Sequence, residues 1–125
     1  IFHGKKLRLD MAKYYQASDF LIVSLIDKPI FSVTVPAKTQ TYIAAKKPIL
    51  AIINGDTASI IQDNNLGLCA DPSKIDAITD MFQQCIDMSQ AERECFTSEN
   101  DRLLATIFNK EKTIDKLLEV LIKNK

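Results

Sequence analysis

The residues best suited to chemistry lie in one run, Thr34-Val35-Pro36-Ala37-Lys38-Thr39-Gln40-Thr41, just ahead of the apolar stretch that starts at Pro48. The pattern predicts a helix from Ala37 to about Lys46, with Pro36 near its first position, where a missing N–H costs nothing. Such a helix opens with N–H groups that lack intrahelical partners and with the positive end of its dipole, and together these receive a phosphate. Lys38 would add a cation, and Thr34, Thr39 and Thr41 would add hydroxyls. The competing reading makes the threonines caps and leaves Lys38 solvated. Every parallel α/β domain has several helix starts, so the run alone does not decide between the two.

The other reactive types read as structural. His3 is the single histidine and reads as an ordinary residue at a strand end. Cys69, Cys85 and Cys95 are an odd number at unrelated spacings with no CxxC, so no zinc site is expected and the thiols read as reduced and mostly buried. Cys69 has no base close in sequence, which a nucleophile would need. Asp19 is expected to cap the helical segment that carries Tyr14 and Tyr15. Asp56, after Asn54-Gly55, is expected as the N-cap of the next helix, with approach to a bound sugar as the alternative. Tyr14, Tyr15 and Tyr42 read as packing residues.

The elements that must position these residues alternate along the chain. The opening "IFH" reads as a strand end closed by Gly4, and Met11, Tyr14 and Tyr15 recur at helical spacing. Residues 19–25, 48–53 and 66–70 are continuous apolar runs, as expected of strands covered on both faces. Between the first two, a loop holding Pro29 leads into the helix at Ala37; between the last two, a short helix runs from Asp56 through Asn64. Asp71-Pro72-Ser73-Lys74 reads as a helix start, and Ile75, Ile78, Met81, Phe82, Cys85 and Ile86 then follow the i, i+3, i+4, i+7 rule. Ser89 with Glu92 matches a capping box, opening one helix whose stripe is Leu103, Leu104, Ile107 and Phe108. Asn109 is expected to cap a last helix with Ile114, Leu117, Leu118, Leu121 and Ile122 on one face. Strands that alternate with helices predict an α/β fold: a parallel Rossmann-like sheet flanked by helices, with a helical C-terminus. In such sheets ligands sit beyond the carboxyl ends of the strands, where residues 32–38 fall.

The totals narrow the function. At 125 residues the chain is a single domain, and its 16 basic and 16 acidic residues cancel, so no overall field favours nucleic acid. No apolar run approaches the roughly 20 residues that span a bilayer. The first residues are "IFHG" with no initiator Met, and the expectation is a piece of a longer protein.

Several marks occur in order: F-x-G at residues 2–4, M-x-x-Y-Y-x-x-S-D at 11–19, P-A-K-x-x-x-Y-I-A-A-x-K-P-I-L-A at 36–51, and N-G at 54–55 followed by I-I-x-D at 60–63. This ordered set resembles the donor-binding C-terminal domain of retaining glycosyltransferases of family 4, which have the GT-B fold. The last segment, "FNKEKTIDKLLEVL", is similar to the C-terminal helix of that family, so the resemblance covers nearly the whole chain. Within the family it looks closest to bacterial enzymes that add amino-deoxy sugars to lipid-linked O-antigen, capsule or colanic-acid precursors.

The resemblance implies half of a GT-B fold, one partial domain over residues 1–125, acting in surface polysaccharide biosynthesis. It implies that backbone amides near Thr34, Val35, Ala37 and Lys38 cradle the diphosphate of a nucleotide sugar, UDP being the expected nucleotide, with Thr41 toward the ribose. Gly4 and Lys5 would border the base. The basic catalytic pair and the acceptor domain would lie before residue 1, no metal or other cofactor is required, and the acceptor would be lipid-linked at the inner face of the membrane of a cytoplasmic enzyme. Two glutamates eight positions apart usually bracket this loop; here those positions hold Val33 and Thr41. That departure suits an alternative, a degenerate half that binds or partners an active subunit without catalysis. A flavodoxin-like receiver domain would need an acidic cluster after its first strand, and none is present.

Overall fold

A computed structural model describes residues 2–123. Three short strands, β1 (Leu21–Ser24), β2 (Ile49–Ile52) and β3 (Gly67–Ala70), form a parallel sheet whose spatial order follows chain order. Val23 lies beside Ala51, which in turn lies beside Cys69. Helices α1 (Met11–Ala17), α2 (Pro29–Ser32), α3 (Ala37–Ala44) and α4 (Asp56–Asp63) alternate with the strands, and α5 (Ile75–Asp87), α6 (Gln90–Cys95), α7 (Asn100–Ala105) and α8 (Lys110–Lys123) complete the chain. This is the expected α/β, Rossmann-like arrangement.

The pleat sorts the side chains into two cores. Val23, Ile49, Ala51 and Ile53 point to one face, where Ile43 of α3, Ile61 of α4 and Leu103 of α7 close over them, all at most 2% exposed. Each fully buried Ile, Leu or Val there contributes about 1.5–3 kcal/mol of transfer free energy. On the opposite face α5 brings Met81 and Cys85 onto Leu50 and Ala70. That helix lies over β2 and β3, so Ile22 of β1 stays 45% exposed. The expectation that every strand is covered on both faces therefore fails for β1.

Several other expectations are corrected. Phe2, His3 and Gly4 are exposed and form no strand, while Ile1 lies outside the described residues. The expected loop around Pro29 contains α2, one helical turn with Pro29 in its first position. The helix expected to run from Ser89 to Phe108 is two, because Thr97 Oγ1 and Ser98 Oγ donate to the carbonyls of Glu94 and Cys95 and break the ladder between α6 and α7. Helix α5 begins at Ile75 and not at the Asp71-Pro72 pair. The capping box at Ser89 and Glu92 is present in full, and its hydrogen bonds from the Ser89 hydroxyl and amide hold the Glu92 carboxyl below its ordinary range. Asn109 caps α8 by accepting from the Lys112 amide at 2.9 Å.

Candidate functional site

The carboxyl edge of the sheet is built by three loops. After β1, the chain runs through α2 and then residues 33–36 before α3 begins. Helix α2 is too short to satisfy its carbonyls by backbone alone, and side-chain hydroxyls do so: Ser32 Oγ donates to the Pro29 carbonyl and Thr34 Oγ1 to the Ile30 carbonyl, each at 2.7 Å. The Thr34 amide donates to the Phe31 carbonyl at 3.3 Å. Thr34 is therefore committed to its own loop on both amide and hydroxyl, and it drops out of the expected ligand set.

The start of α3 is different. Pro36 occupies the N-cap position, and no side chain caps the helix. The Thr39 amide donates back to the Pro36 carbonyl at 2.9 Å, which leaves the Ala37 and Lys38 amides as the outward donors of the first turn. Lys38 is exposed, and its ammonium makes no hydrogen bond or ion pair among the described residues. The Thr39 hydroxyl cannot reach a ligand: it is fully buried and has no partner among the described residues. Thr41 is exposed, its hydroxyl 3.5 Å from the Ala37 carbonyl, one turn further along the helix. Val33 is 69% exposed and offers an apolar surface beside the same turn.

Gly4 and Lys5 are not brought to this edge by any bond. The neighbouring His3 ring packs on Tyr14 at 5.2 Å and the Lys6 ammonium lies 5.9 Å from the same ring, so this segment rests on α1. Tyr15 in turn meets Tyr42 of α3 at 5.6 Å, the packing role expected of the tyrosines. Among the described residues no hydrogen bond or ion pair joins Gly4 or Lys5 to residues 34–38.

Asp19 lies at the amino end of β1, where it accepts from Arg93 at 2.8 Å. It does not cap α1; Ser18 closes that helix, donating to the Tyr14 carbonyl at 2.7 Å. Asp56 is the first residue of α4 and not its N-cap, a position held by Gly55 at φ 83 and ψ −150. The three thiols are free: Cys85 is buried, Cys69 half-buried and Cys95 exposed. Burial pushes the Cys69 thiol up to about 11, so it stays protonated and unreactive near neutral pH.

Sequence reasoning missed Asp71, which ties the ends of β2 and β3 together. Its carboxylate accepts from the Ser73 amide at 2.9 Å, the Ser73 hydroxyl at 2.7 Å and Asn54 Nδ2 at 3.3 Å. The signal was the Asp-Pro-Ser triplet, which favours a side-chain turn two residues on. The Ser73 amide and hydroxyl, then Asn54, hold this carboxyl below its ordinary value of 3.8. Because the folded chain binds the proton less readily than the unfolded one, the contribution is present above that ordinary value and is lost as pH falls through the lower folded one. Urea midpoints of the wild type and Asp71→Asn should differ at neutral pH and converge on acidification below about pH 4.

Among the described residues no three His, Cys, Asp or Glu side chains stand together as metal ligands, and no helix is long and apolar enough to cross a membrane. Fold and edge together define an α/β domain of Rossmann-like type with an uncapped helix start at the carboxyl side of its parallel sheet. Comparisons with known protein families, with curated proteins and with solved structures find no match for this chain.

Proposed function

We propose that the chain is the donor-binding part of a retaining glycosyltransferase of GT-B fold, taking a nucleoside-diphosphate sugar, with UDP as the nucleotide, and serving surface polysaccharide assembly. The observation that supports this most is the opening of α3: the Ala37 and Lys38 amides and an unpaired Lys38 ammonium share one turn at the carboxyl edge of a parallel sheet. The ordered motif resemblance supports the choice of family, and the uncapped turn supports a phosphate-binding role. In the proposed reaction the helix dipole and Lys38 stabilise the diphosphate as it leaves with the glycosidic electron pair. The basic catalytic pair, the acceptor domain and a lipid-linked acceptor at the membrane surface are part of this proposal and lie outside these residues.

A second reading, a non-catalytic half that partners an active subunit, draws on Val33 and Thr41, which stand where the family's carboxylates would grip sugar and ribose. Ile26, Ile30 and Val33, each at least 66% exposed, give that reading an apolar surface beside the same loop.

Titration of the chain with UDP and GDP, followed by amide chemical shifts, tests the site. Shifts confined to residues around 34–41 with a dissociation constant on the order of millimolar are expected, and Lys38→Ala should weaken binding about fivefold, the upper value of one exposed ion pair. Scattered shifts, or none at millimolar nucleotide, would remove the proposal.

A further inference from the structure

We infer that Thr57 and Gly55, at the head of α4, are the positioning residues that hold the opening of α3 in its receptive geometry; this rests on the donor-site reading above. Loop residues 33–36 send no hydroxyl into the sheet, since Thr34, the one hydroxyl residue among them, spends its own on α2. What fixes the loop comes from across the edge. Thr57 Oγ1 donates to the Thr34 carbonyl at 2.9 Å, and Thr57 is fully buried.

That bond is unusual within this chain. A threonine in a helix ordinarily donates to the carbonyl one turn back, as Thr41, Thr79 and Thr113 do here. Among the described residues Thr57 is the one threonine whose hydroxyl donates to a carbonyl more than four positions away, at a separation of 23. Two residues earlier, the Gly55 backbone lies against Ser32 so closely that an added Cβ would stand 2.0 Å from the Ser32 carbonyl oxygen. Two anchor points at the head of α4 thus meet two points between the end of α2 and the start of α3, at Ser32 and Thr34. Paired anchors fix both the distance and the angle of the segment that enters α3. Val35, Ala37 and Lys38 follow directly, and an amide displaced by about 1 Å no longer meets its acceptor.

Three variants of the full 125-residue chain separate positioning from general support. Thr57→Val removes the hydroxyl and keeps the shape, Thr57→Ser keeps the hydroxyl, and Ile61→Val trims the same helix one turn on. Backbone 15N order parameters at Thr34, Val35, Ala37 and Lys38 are expected to fall in Thr57→Val from about 0.85 toward 0.6, while the other two variants hold the wild-type value. UDP affinity should drop about tenfold in Thr57→Val, recover in Thr57→Ser, and change less than about twofold in Ile61→Val. Thr57→Ala takes the place of Thr57→Val should the latter not fold. Order parameters and affinity that respond to Thr57→Val no more than to Ile61→Val would overturn the inference. If the wild type binds no UDP, the donor-site reading fails, and the order parameters still decide whether Thr57 positions the loop.

Discussion

Gly55→Ala is expected to cost about 3–5 kcal/mol of folding free energy, combining backbone strain with a steric clash. At φ 83 and ψ −150 the residue occupies backbone space that is in practice open only to glycine. The new methyl would also enter the Ser32 backbone, with its carbonyl oxygen at 2.0 Å and its Cα at 2.5 Å. Backbone cannot rotate out of the way as the end of a side chain can, so either α2 or the head of α4 must shift. Against a total stability of about 5–15 kcal/mol the loss is a large share. Gly4→Ala is the control. Gly4 also has positive φ, at 66, but nothing lies within 4 Å of its Cβ position, so only a left-handed penalty of about 1 kcal/mol applies. Urea denaturation of the two variants should therefore differ by about 2 kcal/mol or more. Equal midpoints would mean that the contact between Gly55 and Ser32 is absent in solution.

Ile43→Ala is expected to cost about 3–4 kcal/mol, the range for a fully buried isoleucine whose site cannot collapse. Ile43 has no exposed surface and packs in the cluster with Val23 of β1, Ile61 of α4 and Leu103 of α7. Its surroundings are held from several elements, which limits relaxation into the void. Its carbonyl, near the end of α3, accepts from Asn100 Nδ2 at 2.9 Å and from the Lys46 amide at 3.1 Å. The backbone at Ile43 is thereby pinned while the side chain is removed. Ile43→Val, one methylene smaller, should cost about 1 kcal/mol, and a series through Val to Ala read in urea tests whether the loss scales with the void. A loss under about 1 kcal/mol for Ile43→Ala would place α3 outside the main core.

The strands were legible because an inner strand is a short apolar run bounded by turn residues. The runs ending in Leu25, Ile53 and Ala70 gave all three to within two residues at each end. The helix at Ala37 was legible for the same reason that it is interesting: a proline, then no break until the Lys46-Lys47-Pro48 corner. What stayed hidden was set by hydroxyls and by one glycine. Helix α2 is a single turn with no period to detect, and it exists because Ser32 and Thr34 close its carbonyls. The gap between α6 and α7 carries neither Gly nor Pro, and the side chains that open it look, by pattern, like ordinary solvated residues. Asp56 looked like a cap because acidic residues favour that position; the conformation of Gly55 moved the cap back by one. At the candidate site, position was readable and participation was not. Thr34 and Thr39 are of the right type in the right place, yet the first is committed to α2 and the second is buried.

Helix α8 buries none of its side chains, although Ile114, Leu117, Leu118, Leu121 and Ile122 share one side of it. A 14-residue helix in water is marginal when its side chains stay exposed, since each propagated turn barely repays the nucleation penalty. Its melting is consequently uncoupled from that of the sheet, and the chain comprises two thermal units of very different strength. Loss of helical ellipticity at α8 would precede the main endotherm, and the enthalpy taken from the midpoint alone would describe only the part ending near Phe108.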